Sequence, residues 1–412
     1  MVCESMPGSP FSDVVPRDWA ITEADSVSLK VSKGTTPPKT EVSENGGIPF
    51  LRVNNLSFYG SLQKDSDFIY VSKAAHEKFL ARSKAYPGDI LMNIVGPPLG
   101  KTALLDESWP EYNMNQAIVF YRLDTQHVVP EYFLAFLNSH NAQNWLQSRS
   151  KKTSGQQNLT IELCKKLPLP LPSIPEQKKI AQILSTWDQA ITATERLLEN
   201  SQQRKKGLMQ QLLTGQKRLP GFEGEWEEFL IAELEDKGWL KLGRGKVISK
   251  KDIENKPGQY PIYSSSVKND GLMGAYGEFM FDEELISWSV DGGGNFFYRP
   301  KHKFSVTNVS GYMRLDIDRL SYKFLAEQLA YLHERQAFNY QTKAHPSVIR
   351  KLYRVKIPSL REQQKIAQVL AVTDAEVAAN QVRLECLKEE KKALMHQLLT
   401  GKRRVQVETE AA

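Results

Sequence analysis

The chain has 412 residues, of which 41% are hydrophobic and 25% charged, with a net charge of +6: room for two or three domains with full cores. No run of about 18 apolar residues occurs, which excludes a membrane-spanning helix, and the opening MVCESMPGSPFSD has neither the basic nor the apolar region of a signal peptide. Cys3, Cys164 and Cys386 stand singly and the seven histidines show no H-x-x-x-H spacing, so neither a disulfide framework nor a metal site is supported and a reducing cytoplasm is the expected setting.

In chain order, residues 1–171 read as a first globular domain, opened by Asp18-Trp19. IPFLRVNNLSFYG (Ile48–Gly60), DFIYVS (Asp67–Ser72), GDILMNIV (Gly88–Val95) and QAIVFYRL (Gln116–Leu123) are predicted strands between turn residues. VGPPLGKT (Val95–Thr102) resembles a phosphate-cradling loop, but that motif needs four residues between its first glycine and Gly100-Lys101-Thr102, and Gly96 supplies three. PEYFLAFLNSHNAQNWLQS (Pro130–Ser148) is predicted as one helix, followed by the polar, basic loop SRSKKTSGQQN.

Residues 172–219 follow as a long helix, and they recur. EQKKIAQIL (Glu176–Leu184) returns as EQQKIAQVL (Glu362–Leu370), 362 − 176 = 186 positions later, and the offset holds without a gap from Pro172/Pro358 to Gly215/Gly401, with about half the positions identical. Ile180, Leu184, Trp187, Ile191, Thr194, Leu198, Ser201, Lys205, Leu208 and Leu212 are spaced by fours and threes, a coiled-coil seam. Ile366, Leu370, Thr373, Val377, Asn380, Leu384, Leu387, Lys391, Leu394 and Leu398 keep the same register. A serine precedes each helix and a glycine ends it. From Ile174 to Leu213 the helix would be roughly 60 Å long at 1.5 Å per residue. A stripe this narrow is best buried by an equal stripe, so the two helices are expected to pair. They are expected to run antiparallel, because the insert between them sits most easily at one end.

That insert, residues 220–357, repeats the order of the first domain. YPIYSSS (Tyr260–Ser266), LISWSV (Leu285–Val290), NFFYR (Asn295–Arg299) and SGYMRLDI (Ser310–Ile317) are strand candidates and SYKFLAEQLAYLHERQ (Ser321–Gln336) a helix; Glu225-Trp226 matches Asp18-Trp19. The second repeat helix occupies 358–405, with a tail at 406–412. DGGGNF (Asp291–Phe296) does not fit G-x-G-x-x-G and reads as a hairpin turn or a close approach to a phosphate. No N-P-P-Y or D-P-P-Y methyltransferase signature appears, and Asp282/Glu283/Glu284 have no lysine at nuclease spacing, so no catalytic residue is assigned. The fold class is α+β: two globular α/β domains separated by a long antiparallel two-helix coiled coil, with internal pseudo-two-fold symmetry. A DNA duplex has the same local symmetry, so unlike domains would read an asymmetric, bipartite site. Half-sites on one side of the duplex have centres about 34–36 Å apart.

The positive residues cluster at Arg149/Lys151/Lys152, Arg204-Lys205-Lys206, Lys217-Arg218, Lys241 to Lys251, Arg350 to Lys356 and Lys402-Arg403-Arg404, which suits a polyanion; solvated helix faces are the alternative. Phosphate contacts call for Lys and Arg, and base edges for amides and guanidinium groups. The candidates in the first domain are Arg149, Lys151, Lys152, Gly155, Gln156, Gln157 and Asn158 in the late loop, then Arg52, Asn54 and Asn55, then Asn113, Asn115 and Gln116. In the second they are Arg244, Lys246, Lys268, Asn269, Asn295, Arg299, Asn339, Tyr340, Gln341 and Lys343. Turns and caps are the competing role for each Asn or Gln, and packing for Tyr340.

The loop KKTSGQQNL, the transition LPLPLPSIPEQKKIAQIL, the helix end LMQQLLTGQKRLPGFEGEW, and IPSLREQQKIAQVL with LMHQLLTGKRR resemble the specificity subunit of type I restriction-modification systems over nearly the whole chain. The resemblance implies two target-recognition domains alternating with two central repeat helices, in a non-catalytic scaffold that reads double-stranded DNA. It implies assembly with two modification subunits that bind S-adenosylmethionine and methylate adenine, and with restriction subunits that translocate and cut DNA using ATP. Cofactors, Mg²⁺ included, then belong to those partners. The chain departs from the pattern in its second domain, which has NYQTKAHPS (Asn339–Ser347) in place of an S-G-Q loop. Docking candidates on the repeated faces are Glu176, Gln177, Lys179 and Gln182 and their twins Glu362, Gln363, Lys365 and Gln368, with helix capping as the alternative for the glutamates. Two further readings stand beside this one: a coiled-coil assembly scaffold whose end domains bind proteins, and a self-sufficient nuclease or methyltransferase.

Overall fold

A computed structural model of the chain describes residues 15–63, 67–153, 156–264, 268–289, 295–336 and 345–407, the side chains at 152, 153, 156 and 268 excepted. Both repeats are helical over the expected lengths, Ile174–Leu213 and Leu360–Leu399, 40 residues each. Every predicted seam position is buried or half-buried, which is the narrow stripe a paired helix requires. The two helices also stop by one device. Gly215 and Gly401 take left-handed φ values of 73° and 71°. Beyond them the Lys217 N–H donates to the Gln211 carbonyl (3.0 Å) and the Arg403 N–H to the Gln397 carbonyl (3.1 Å).

The chain divides into two compact units, residues 1–193 with 383–412, and residues 194–382. Each unit is therefore a domain together with half of each long helix, a partition that cuts across the domain limits expected from sequence. The cores show why. In the first unit Ile180, Ala181 and Leu184, near the start of the first helix, share a core with Leu398 and Leu399, near the end of the second, and with Trp19, Tyr132, Phe133, Phe136 and Leu169 of the domain. In the second unit Leu212 and Leu213 meet Ile366, Ala367 and Leu370 among Phe229, Phe324, Leu325 and Val355. Start meets end in both, so within each unit the helix segments run antiparallel. Burial of each such aliphatic side chain stabilises by roughly 1.5–3 kcal/mol.

In the first unit an antiparallel four-stranded sheet runs Ser28–Lys33, Ile118–Leu123, Ile90–Asn93, Thr102–Leu104 in spatial order. A smaller sheet orders Val42–Ser43, Ile69–Val71, Ile48–Leu51 and Asn113–Met114. The second unit holds a six-stranded sheet ordered Leu240–Arg244, Ser310–Leu315, Phe281–Ser289, Phe296–Val306, Tyr260–Tyr263, Leu272–Tyr276. In each domain the two chain ends pair as a short antiparallel ribbon, Ala20–Glu23 with Pro168–Leu171 and Glu227–Leu230 with Arg354–Ile357.

Two expected elements are shorter than read. The strand begun at Ile48 ends at Leu51, because the Asn55 side chain accepts the Arg52 N–H at 2.7 Å and turns the chain. The helix read as Pro130–Ser148 is two, Pro130–Leu137 and His140–Ser148; Ser139 breaks it by accepting the Ala142 N–H on its own hydroxyl.

Candidate nucleic-acid interface

The polar residues nearest the helix starts build a joint, and they build it twice. Gln177 accepts the Val129 N–H (2.8 Å) and donates to the carbonyls of His127 (3.2 Å) and Pro172 (2.9 Å), so one amide ties the repeat helix to the start of a domain helix. Gln363 does the same with the Ser321 N–H (2.9 Å) and the carbonyls of Arg319 and Pro358, both at 3.0 Å. Glu176 is held by Arg404 at 2.7 Å, which also forks onto Asp18 and lies over Trp19. Glu362 is held by Arg218 through two bonds of 2.6 Å, with Trp226 alongside. Along the seam Lys391 pairs with Asp188, and Lys205 with Asp374 at 2.7 Å. The ion pairs borne by the helices and their flanks reappear at an offset of 186 with the two helices exchanging roles, since 404 − 218, 391 − 205 and 374 − 188 are all 186, whereas the domain groups that Gln177 and Gln363 bond, 129 and 127 against 321 and 319, stand 192 apart. The electrostatics agree: the Asp18 and Glu176 carboxylates raise the Arg404 pKa, Glu362 raises that of Arg218, and Arg404 lowers that of Asp18.

These joints correct the sequence reading. Glu176, Gln177, Glu362 and Gln363 are buried and fully engaged, so they do not face a partner; Lys179, Gln182, Lys365 and Gln368 are exposed. Arg218, Arg404 and Lys205, read as polyanion-facing, are ion-paired, as is Arg204 with Glu376. The signal that identifies Arg218 and Arg404 as joint residues was in the sequence, because they obey the same offset as the glutamates they hold.

In the first domain the late loop is a hairpin, Lys151–Thr153 against Gln156–Asn158, whose second strand pairs with Val95–Gly96. Lys151 is exposed, Gln157 and Asn158 half-buried; Gly155 and the side chains of Lys152 and Gln156 fall outside the described residues. Arg149 is exposed and lies over the Trp145 ring at 4.6 Å. Asn54 and Gln116 are exposed. Asn55 and Asn113 are corrections: both are fully buried, Asn55 serving its turn and Asn113 bridging Ser83 (2.8 Å) and His76 (3.1 Å). Arg52 is half-buried and donates to the Asp67 carbonyl (2.9 Å), and Asn115 accepts the Ala117 N–H (3.1 Å).

In the second domain the fold gathers several candidates at one end of the sheet. Lys246 donates its N–H to the Val306 carbonyl (3.1 Å), Thr307 donates to Tyr263 (2.9 Å), and Ser264 to Gly271 (2.8 Å), so loops 244–246, 268–271 and 306–308 adjoin. Arg244, Lys246 and Asn269 are exposed there, Arg244 donating to the Asn308 carbonyl at 2.6 Å. Arg299 is a correction: it is only 4% exposed and reaches no surface. Asn295 is half-buried and accepts the Phe296 N–H at 2.9 Å. Asn339, Tyr340, Gln341 and Lys343 lie outside the described residues.

The loop at Val95–Thr102 does not cradle a phosphate. Asn93 fills it, donating to the carbonyls of Val95 (3.1 Å) and Pro98 (2.8 Å) and accepting the Lys101 N–H (2.8 Å), and a strand rather than a helix follows. Glu283 is tied to Arg314 (2.6 Å), and Glu284 accepts the Tyr298 hydroxyl (2.5 Å). His76, Glu77 and Glu111 have the composition of a metal site, but Lys84 sits 2.7 Å from Glu77 and the Asn113 amide donates to His76 Nδ1. Such a cluster is a charge network, with Lys84 supplying the cation beside its carboxylates. No described helix is long and apolar enough to cross a membrane.

Two diverged α+β domains, each jointed to the repeat helices through the same helix glutamine and glutamate and presenting unlike exposed loops, define a two-domain recognition scaffold. Comparison with known proteins agrees and names the family: the model of the type I restriction modification DNA specificity domain matches residues 16–200 and again 223–389, and the chain belongs to that family as a specificity subunit, not a catalytic one. A putative type I specificity subunit of Mycoplasma pneumoniae is 30% identical over 221 residues, 52% of this chain and 77% of the relative. The putative MjaX specificity subunit of Methanocaldococcus jannaschii is 23% identical over 424 aligned residues, covering 95% of each chain. The crystal structure of a type I S subunit from M. genitalium superposes with a TM-score of 0.62 at 18% identity, covering 93% of this chain and 96% of that one.

Proposed function

We propose that the chain reads the two halves of an asymmetric, bipartite DNA site, one half per domain, and carries two modification subunits, and restriction subunits with them. The supporting observation is the contrast between the joints, in which the same helix glutamine, glutamate and arginine recur, and the exposed loops, which differ. Equal joints present equal neighbouring surfaces, with Lys179 and Gln182 on one and Lys365 and Gln368 on the other, so one kind of partner docks twice. Unlike loops contact unlike base sequences: the hairpin at 151–158 in the first domain and the cluster at 244–246 and 268–271 in the second. Methyl transfer, and DNA cleavage driven by ATP and Mg²⁺, fall to the partners, which hold S-adenosylmethionine.

Co-expression with the neighbouring modification gene, followed by mapping of methylated adenines across a host genome, is the direct test. A split motif with a fixed gap is expected. Random methylation, or none, overturns the reading. In vitro, Lys151→Ala should weaken binding of the assembled complex to all duplexes alike and reduce the slope of log affinity against log salt by about 1.

A further inference from the structure

One segment of the second domain is strained in a way that nothing in the core demands. Asn269 (φ 48°, ψ 43°) and Asp270 (φ 51°, ψ 31°) are the only non-glycine residues with positive φ among the described residues, and Gly271 follows at φ 81°. Three consecutive left-handed residues are costly, at about 1–2 kcal/mol for each L-residue, although Asn and Asp bear it best. Such backbone persists only where its surroundings fix it, and it concentrates at functional sites.

What fixes it is Arg299. From the strand Phe296–Val306, Nη2 donates to the Asp270 carbonyl at 2.5 Å and Nε to the Ser287 hydroxyl at 2.8 Å. The guanidinium lies 3.7 Å from the Tyr263 ring centre and 4.7 Å from that of Phe297. Among the described residues no carboxylate forms an ion pair with it, although the Asp270 charge lies near enough to act on it. Burial pushes its pKa down to about 10, which leaves it charged at neutral pH. Burying a cation carries a desolvation cost, and an apolar residue would often pack the same space at less cost. Here the planar fork clamps the Asp270 carbonyl and sets a positive charge beneath an exposed turn, with Arg244 and Lys246 exposed on the adjoining loop.

We propose that the Asn269–Asp270 turn is the base-reading tip of the second domain and that Arg299 is its positioning residue. The inference rests on the DNA-reading function proposed above and names where in the second half-site recognition resides. The exposed Asn269 amide carries the donor and acceptor that match an adenine edge in the major groove, and an exposed carboxylate such as Asp270 accepts from cytosine N4. Arg244 and Lys246, exposed on the adjoining loop, are the candidates for phosphate contacts beside it.

The test uses the full chain assembled with its modification subunits and reads both the genomic methylation motif and methylation rates on matched and singly mismatched duplexes. Asn269→Gly removes the amide and relieves the backbone, so folding is spared. It should relax one position of the second half-site, with discrimination falling about tenfold or more, while the first half-site and the salt dependence of binding stay as they were. Arg299→Lys keeps the charge but cannot span Asp270 and Ser287 together; it should blur the same half-site without loss of non-specific affinity. A split motif left unchanged by Asn269→Gly overturns this inference alone. A parent complex that yields no fixed motif overturns the DNA-reading function as well.

Discussion

The joint residues and the loops beyond them have followed different rules. Gln177 and Gln363 bond the same three kinds of backbone group at distances within 0.3 Å of each other, from 2.8 to 3.2 Å in one unit and 2.9 to 3.0 Å in the other. A short way into each domain the likeness ends: a four-stranded sheet with a hairpin at 151–158 in one, a six-stranded sheet with the left-handed turn at 269–270 in the other. The difference teaches where constraint acts. A buried amide that satisfies three backbone groups has no substitute, because each group it abandons loses a bond in a place without water. An exposed loop loses nothing of the kind when it changes.

Mutating twins in parallel sharpens that comparison. Arg218→Ala should have the largest effect, about 3–5 kcal/mol, since it leaves Glu362 charged at 1% exposure. Arg404→Ala strands Glu176 at 6% exposure but leaves Asp18 in solvent, so its loss should be smaller. Urea unfolding of each variant, with hydrogen exchange resolved by unit, checks both; equal losses would undo the ranking. Gln363→Ala and Gln177→Ala should each cost about 2–3 kcal/mol and match one another closely. Gly401→Ala should cost more than Gly215→Ala, both above about 1 kcal/mol, because its new Cβ would lie 2.4 Å from the Pro16 ring whereas the other meets Trp226 at 3.3 Å.

The smallest expected effect is a pH response confined to the second unit. Burial, with the nearby Asp374 carboxylate, raises the Glu327 pKa above its ordinary 4.5. A carboxyl whose folded pKa is raised binds its proton more tightly in the folded state, so stability falls as pH rises from the unfolded value through the folded one. Glu327→Gln should therefore raise the melting temperature at pH 7 and leave it unchanged at pH 4. No gain at pH 7 would place Glu327 among the residues that help the fold when charged.

Much of the molecule was legible because its signals are local. The seam from Ile180 to Leu212, the glycine stops and the strand cores at Ile90–Asn93 and Ile118–Leu123 follow from spacing and side-chain type alone. The break at Ser139 was harder, since a serine inside an amphipathic run caps a helix only if the chain bends there. The site residues were the least legible. Asn113, Asn55 and Arg299 have the chemistry of a DNA contact and are buried; Arg244, Lys246 and Asn269 have the same chemistry and are exposed.

The sequence by itself determined the repeat, the two long helices and their register, because periodicity and the offset of 186 are properties of the chain order. Tertiary structure decided which partners the charges meet. Arg299 meets the Asp270 carbonyl 29 residues away and Arg404 meets Asp18 across 386, and whether a cation has a partner depends on which segments the cores bring together.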